Sequence, residues 1–351
     1  MQVSLPSSAQ DRLLVVAPHP DDETIAAGRL IQSALQAGAH ASVLFATDGD
    51  NNPWPQRWLE RRWRIGAAER ARWGARRRGE ASAALHRLGV EGRVADAQFL
   101  GWPDQGLTSM LMDDARAIDV LRARIEEQAP SHVAMPVLDD RHPDHSALRV
   151  MLELALLQAG IRCVRLGYRV HGAPSPQALR VREDATAVAR KREAMEVYAS
   201  QLALSRRRLV AMAERPEAFE AQAHAPTIEG NPASIAIACE GPRAGVLPRE
   251  LLLVLATRNG LSRLRACMPR RPGRTRLRLR DAHGHSLEAT WESGRLLLEL
   301  PAFARPLLGA WAKCDRGYPR VVVYDREFWC AAPRSAPAEV GALPVPLGPA
   351  G

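Results

Sequence analysis

Leu13-Leu14-Val15-Val16-Ala17-Pro18-His19-Pro20-Asp21-Asp22-Glu23 is the stretch that decides the fold. Its apolar opening reads as a buried strand, the two prolines stop that strand, and Glu23 to Gln36 continues with apolar residues at helical spacing. Strand, polar hinge, helix is how an α/β protein presents chemistry at the carboxyl end of a parallel strand. A purely structural role would leave His19, Asp21, Asp22 and Glu23 with little purpose so close together after an apolar strand.

Working outward, a second polar cluster, His142-Pro143-Asp144-His145, follows the apolar run His132 to Pro136 and a loop. Taken alone it reads equally well as a helix start, with proline in the first turn and an acid near the amino end. Paired with the first cluster it reads as half of a metal site. His19 and Asp22 are three residues apart across a turn entering a helix, so both can face one point. With either His142 or His145 they make an imidazole, carboxylate, imidazole set suited to Zn2+, with a further position open to water. Fe2+ or another divalent ion is the alternative, because such a set accepts several metals. Asp21, beside a ligand but aimed elsewhere, is the candidate general base. The histidine left over is the candidate donor to a developing oxyanion. Asp144, between the two, is the candidate orienter of an imidazole.

Strand and helix patterns alternate over roughly the first 220 residues: strands at Leu13–Val16, Ala41–Ala46, Gln98–Leu100, His132–Met135 and Cys163–Val170, and helices at Glu23–Gln36, Glu80–Leu88, Asp113–Gln128 and Ser146–Gln158. This predicts an α/β fold, a Rossmann-like, mostly parallel sheet with helices on both faces. From Ser234 short alternating segments take over, including Thr275–Arg280, Ser286–Trp291, Arg295–Leu300 and Arg320–Tyr324, with turn signals between them. A C-terminal antiparallel β domain is therefore expected over 226–334, after a first domain over 11–223. A loose Pro/Ala/Gly tail is expected over 335–351.

The chain has 351 residues, of which 46% are hydrophobic and 25% charged, enough to bury a core and unlike a disordered chain. Its five cysteines are odd in number, widely spaced and without a CxxC pair, which suggests reduced structural thiols. No run is long and apolar enough to span a bilayer and the first residues lack a signal-peptide pattern, so the expected location is cytoplasmic. The formal charge is +9, carried almost wholly by arginine. Nine arginines lie between Trp54 and Arg78 against Glu60 and Glu69, a local +7, together with Trp54, Trp58, Trp63 and Trp73. This segment has two readings. One is an amphipathic helix with solvated arginines and tryptophans turned to the core. The other is a face for an anionic ligand, with peripheral contact at the inner face of an anionic membrane as one form of it. No nucleic-acid-binding motif is present and no nucleic-acid partner is expected.

The ordered motifs resemble the LmbE-like or PIG-L family of zinc-dependent N-acetylglucosamine deacetylases. The resemblance rests on Ala17-Pro18-His19-Pro20-Asp21-Asp22-Glu23, Thr47-Asp48-Gly49, Arg77-Arg78-Gly79-Glu80, Phe99-Leu100-Gly101-Trp102-Pro103-Asp104, His142-Pro143-Asp144-His145 and Lys191 to Gln201, which matches K-x-x-A-x-x-x-Y-x-S-Q. It implies His19, Asp22 and His145 as zinc ligands, Asp21 as general base, His142 as the group that stabilises the oxyanion and protonates the leaving amine, and Asp144 as its modulator. Arg77 and Asp104 match positions that contact substrate beyond the acetyl group in the mycothiol-pathway branch. That branch has a tyrosine where this chain has Asp140, and the family core does not extend to the β domain. The implied function is a hydrolase removing the N-acetyl group from an amino sugar. A bacterial glycoconjugate, such as a lipopolysaccharide core or a lipid-linked sugar, is the expected substrate. The alternatives are a small-molecule conjugate in thiol, antibiotic or chitooligosaccharide metabolism, and a sugar- or membrane-binding protein with a vestigial metal site.

Overall fold

A computed structural model describes residues 4–182, 184–222, 228, 232–239, 249–268, 273–301, 304–315 and 328–333. The expected strand at 320–324 and the expected tail at 335–351 lie outside these residues. The chain divides near Ala225 into two compact units.

The first unit alternates strands and helices as the apolar runs predict: β1 (Arg12–Ala17), α1 (Asp22–Gln36), β2 (His40–Thr47), α2 (Pro53–Glu60), α3 (Ala67–Leu88), β3 (Asp96–Trp102), α4 (Leu107–Asp113), α5 (Arg116–Gln128), β4 (His132–Pro136), α6 (Pro143–Ala159), β5 (Val164–Tyr168), β6 (Leu179–Arg180), α7 (Ala185–Glu196), α8 (Ala199–Ala213) and β7 (Ala218–Gln222). Strand order is β3-β2-β1-β4-β5-β7-β6, with the first five parallel and β7 antiparallel to both β5 and β6. Both faces of the parallel sheet are covered, which is why its strands are continuous apolar runs rather than alternating ones. Leu13, Val15 and Ala17 join the core shared with α1, α3, α7 and α8, while Leu14 and Val16, pointing the other way, are equally buried.

The order reverses between β1 and β4: one branch of the chain moves outward through β2 and β3, the other through β5. A crevice opens at such a switch point, beyond the carboxyl ends of the strands. Both polar clusters fall there, because His19 to Glu23 follows β1 and His142 to His145 follows its neighbour β4.

Three features differ from the sequence expectation. The helix expected from Glu80 begins at Ala67 and runs 22 residues, with Glu69 reaching back to the Gly66 N–H at its start. Five of the nine arginines, Arg70, Arg72, Arg76, Arg77 and Arg78, therefore lie on helix α3, while Arg57 lies on α2 and Arg61, Arg62 and Arg64 between the two helices. The short strands β6 and β7 are additions to the expected sheet, since two residues and a run with a central glutamate carry no strand signal. Of the four tryptophans, only Trp73 turns to the core.

The second unit is an all-antiparallel sheet of β8 (Ser234–Ala238), β9 (Glu250–Thr257), β10 (Gly260–Cys267), β11 (Thr275–Arg280), β12 (Ser286–Glu292), β13 (Arg295–Glu299), β14 (Leu307–Asp315) and β15 (Cys330–Ala331). Its order among the described residues is β15-β14-β9-β10-β11-β12-β13-β8. In β11 the arginines are exposed while Leu277 and Leu279 face the core, as the period of two requires.

Candidate metal centre and active site

The first cluster is built on a strained turn. Asp21 occupies the N-cap of α1 with φ 116°, ψ −29°, a conformation that costs a non-glycine residue about 1–3 kcal/mol. The turn is held by the Asp21 N–H donating to Glu23 Oε2 at 3.0 Å and the His19 N–H donating to Asp22 Oδ2 at 3.0 Å. It aims the two adjacent aspartates apart. Asp22 turns to the histidines, with Oδ2 3.1 Å from His19 Nδ1 and 3.1 Å from His145 Nε2. The Asp21 carboxylate turns to Arg77, 3.4 Å from Nη2. Burial raises the Asp21 carboxyl to about 7, against the opposing pull of Arg77.

The second cluster opens α6. His142 is its N-cap, and its Nδ1 accepts the Asp144 N–H at 3.2 Å. An accepting Nδ1 leaves the ring proton on Nε2, so His142 is a neutral imidazole; burial and the neighbouring histidines hold its pKa well below the ordinary value. The three rings of His19, His142 and His145 stand with centroids 4.6–5.5 Å apart.

Asp144 is placed differently from its expected role. Its carboxylate accepts the Gln105 N–H at 2.7 Å and the Leu107 N–H at 3.1 Å, and lies 3.3 Å from His19 Nε2. Its hydrogen bond to His142 is made by its backbone N–H. Asp104 Oδ1 stands 3.2 Å from the same His19 nitrogen, while Oδ2 accepts the Asn51 N–H at 2.8 Å. Arg77, expected at the substrate, is buried; it donates to the Gly49 carbonyl at 2.6 Å and to the Pro20 carbonyl. A Cβ on Gly49, whose φ is +61°, would overlap the Arg77 guanidinium, which explains the glycine that ends Thr47-Asp48-Gly49. Arg78 pairs with Asp48 and Arg76 with Glu80.

Asp140 is the residue that the motif reading missed as a participant. Fully buried, it accepts the His142 N–H at 3.1 Å, the Val170 N–H at 2.8 Å and the His171 N–H at 3.1 Å. Its Oδ2 stands 3.4 Å from His145 Nδ1, where a carboxylate orients a ligand imidazole. His171, brought in from beyond β5, has its ring centroid 5.3 Å from that of His145. The only sequence signal for Asp140 is its place two residues before His142, and for His171 there is none.

The Lys191 to Gln201 motif is structural. Lys191 Nζ donates to the Ile25 carbonyl at 2.7 Å and pairs with Glu217 at 2.6 Å. Glu217 in turn accepts the Arg29 and Leu30 N–H groups at 2.8 and 2.9 Å, tying this buried ion pair to α1. Tyr198 bonds Glu23, and Ser200 bonds Glu80. These contacts fix the helix that carries Asp22.

The donor set fits a divalent cation. Three groups of candidate ligand atoms each converge within 4.8 Å: His19, His142 and His145; Asp140, His145 and His171; and His19, Asp104 and Asp144. Asp22 adds an oxygen between His19 and His145. Both His145 ring nitrogens are buried without an aligned hydrogen bond. Despite burial, Asp22 and Asp140 push the His145 pKa up to about 10, so the cluster draws positive charge to this point.

Doubly wound topology with a buried His/Asp cluster at the switch point defines the class: an α/β protein with a cluster of side chains that could hold a metal ion. Residues 14–156 match the PIG-L family model, described as GlcNAc-PI de-N-acetylase. The chain is similar to the 1D-myo-inositol 2-acetamido-2-deoxy-alpha-D-glucopyranoside deacetylase of Mycobacterium avium, 35% identical over 147 residues, which cover 38% of this chain and 47% of that protein. The protein of the same description from Mycobacteroides abscessus is 30% identical over 176 residues, 45% of this chain and 60% of that one. The chain thus spans about half the length of the curated relatives it matches. Among solved structures, the conserved protein TT1542 from Thermus thermophilus aligns with TM-score 0.46 and 23% identity, over 60% of this chain and 94% of that one.

Proposed function

We propose that this protein is a metal-dependent N-deacetylase acting on an N-acetylglucosamine conjugate. The observation that carries the reading is the division of labour between Asp21 and Asp22: adjacent carboxylates that a strained turn aims at different targets, one at the ligand histidines and one at Arg77.

In this reading His19, Asp22 and His145 hold a divalent ion, Zn2+ or an ion of similar preference such as Fe2+, with Asp140 orienting His145. When bound, the ion supplies a Lewis acid that polarises the acetamide and acidifies water. Asp21 takes the proton of the attacking water. Its raised pKa suits a base working near neutrality, and Arg77 fixes its direction. His142 donates its Nε2 proton in a hydrogen bond to the oxyanion formed as water oxygen bonds to the carbonyl carbon. The C–N bond then breaks, the proton taken by Asp21 returns to the departing nitrogen, and acetate and free amine leave. Asp144 and Asp104 flank His19 Nε2 and set the ring's orientation. Asp104, at the rim with Asn51, is also the candidate contact to the sugar.

The arginine-rich surface beside the rim supports a conjugate with an anionic aglycone, such as a lipopolysaccharide core or a lipid-linked sugar. The names of the related proteins support a second reading, a small inositol glycoside. A panel tests both: acetate release from GlcNAc-inositol, diacetylchitobiose, UDP-GlcNAc and a deacylated lipopolysaccharide core. Preference for the phosphorylated members supports the anionic conjugate; preference for GlcNAc-inositol replaces it with the small glycoside; no release dependent on Asp21 from any member rejects the enzyme reading for these substrates.

A further inference from the structure

Helix α2 is inside out for a surface helix. The residues it buries are Pro55 and Gln56, with the Gln56 amide donating to the Glu69 carbonyl at 2.7 Å and to Glu60 at 3.2 Å. The residues it shows to solvent are Trp54 at 56% exposure, Trp58 at 67% and Leu59 at 39%, and just beyond its end Trp63 is 77% exposed. Seven large apolar side chains are exposed among the described residues, and these four of them lie within ten consecutive positions. Scattered exposed apolar residues need no explanation, but such a concentration does.

The patch is ordered and cationic. The Arg57 guanidinium lies 4.9 Å from the Trp54 ring centroid and 5.3 Å from that of Trp63, linking two tryptophans across the end of the helix. Glu60, the one acid between Trp54 and Arg64, is taken by Arg72 at 2.6 Å. Arg61 and Arg64 pair with no carboxylate among the described residues. Tryptophan prefers the headgroup level of a bilayer, and each nearby arginine adds attraction to anionic lipid.

Charge and area both argue against a second copy of the chain as the occupant. With roughly 150–250 Å² per tryptophan, the three rings at these exposures present about 300–500 Å², short of the roughly 800 Å² per partner of a stable interface. A two-fold self-contact would also set arginines against arginines.

We propose that Trp54, Trp58 and Trp63, with Arg57, Arg61 and Arg64, form a surface that docks on an anionic lipid bilayer. Trp54 is three residues from Asn51, whose N–H binds Asp104 at 2.8 Å, so docking brings the rim of the His/Asp site to the headgroup layer. A membrane-anchored acetamido sugar is then the substrate class; that consequence rests on the deacetylase reading, and the docking does not.

The test is co-sedimentation of the full chain with phosphatidylcholine vesicles, with and without about 30 mol% phosphatidylglycerol, in about 0.1 M salt. The expected result is binding at least about tenfold tighter to the anionic vesicles, a blue shift of tryptophan emission, and release by high salt. Trp58→Ser/Trp63→Ser should weaken binding about tenfold or more, and Arg61→Gln/Arg64→Gln should remove most of the preference for anionic lipid. Both variants should keep the far-UV circular dichroism of the parent, and the tryptophan variant should also keep its turnover of a soluble, uncharged substrate. Equal or absent binding to the two vesicle types overturns the proposal, as does undiminished binding by the tryptophan variant. Binding of inorganic polyphosphate as tight as that of vesicles, without a blue shift, also overturns it in favour of a soluble polyanion. A tryptophan-dependent dimer in sedimentation velocity overturns it in favour of a second copy. Sedimentation needs no turnover, so an inactive enzyme leaves the docking result standing, and an active enzyme that ignores vesicles rejects docking alone.

Discussion

The ends of β1 and β4 and the helix α2 lie in one unit of the chain, yet they invert the usual rule of burial in opposite ways. At the strand ends the chain buries what belongs in water: Asp21, Asp22, Glu23, Asp140, Asp144, His142 and His145 are all nearly or wholly inaccessible. At α2 and just beyond it the chain exposes what belongs in a core, three tryptophans, and buries a glutamine. Burying carboxylates costs several kcal/mol each unless partners compensate, and the acids at both strand ends have such partners, whether histidines, Arg77 or backbone N–H groups. The tryptophans of α2 have no such compensation beyond Arg57. The comparison teaches that local violations of consistency can mark two different tasks in one unit: in the readings proposed above, chemistry where polar groups are dry and attachment where apolar groups are wet.

The largest effect is expected at the base. Asp21→Ala should lower kcat by a factor of about 10²–10⁴ while bound metal, measured by elemental analysis, stays at the level of the parent. Loss of metal together with activity would merge Asp21 with the ligand set and break the division between the two aspartates. His145→Ala should behave in the opposite way, losing the metal and with it the activity.

Asp140→Asn sharpens the account of the buried side. With the carboxylate 3.4 Å from His145 Nδ1 neutralised, metal affinity should fall about 10–100-fold, read by competition with a chromophoric chelator. An unchanged affinity would reduce Asp140 to a cap for the 170–171 amides. Gly49→Ala is milder. It displaces the Arg77 guanidinium and should reduce kcat with little change in metal content, as a steady-state comparison with Arg77→Lys would check.

A smaller and more diagnostic effect concerns protons. In the metal-free protein His145 is pushed up to about 10 by Asp22 and Asp140, against its burial, and His19 is raised by Asp104, Asp144 and Asp22, likewise against its burial. Both shifts favour the protonated imidazole, whereas a metal ligand must be a neutral imidazole. Metal binding at pH 7 should therefore release about two protons, and affinity should rise with pH. Calorimetry in buffers of different ionisation enthalpy gives the number, and release of none would show that the histidines are not ligands.

Much of this was legible in the sequence because it rests on short-range patterns. Apolar runs of four to eight residues gave β1, β2, β4 and β5, and the two histidine-proline clusters at strand ends gave the switch-point site. What escaped the sequence depends on long-range contacts. Asp21's positive φ has no signature in an Asp-Asp pair. Arg77 was legible as a motif residue, but its targets, Gly49 and Pro20, are set by how α3 packs across the ends of β1 and β2. Asp144 looked like the partner of the nearest histidine in sequence, yet α6 turns its carboxylate to His19, 125 residues away. In the segment 54–64 the sequence left two readings open, tryptophans turned to the core or a face for an anionic ligand; propensity cannot tell inward from outward when the helix is only two turns long and its anchor is a glutamine.

The central claim is a metal-dependent deacetylation in which Asp21 and Asp22 have separate tasks. The most direct measurement is acetate release from GlcNAc-inositol and from a phosphorylated N-acetylglucosamine conjugate by the metal-loaded chain, beside Asp21→Ala and His145→Ala with their metal contents determined. The account predicts turnover of at least one conjugate by the parent, full metal with turnover nearly abolished in Asp21→Ala, and neither metal nor turnover in His145→Ala. Turnover that survives in Asp21→Ala, or that persists in the parent after complete removal of metal, would contradict it.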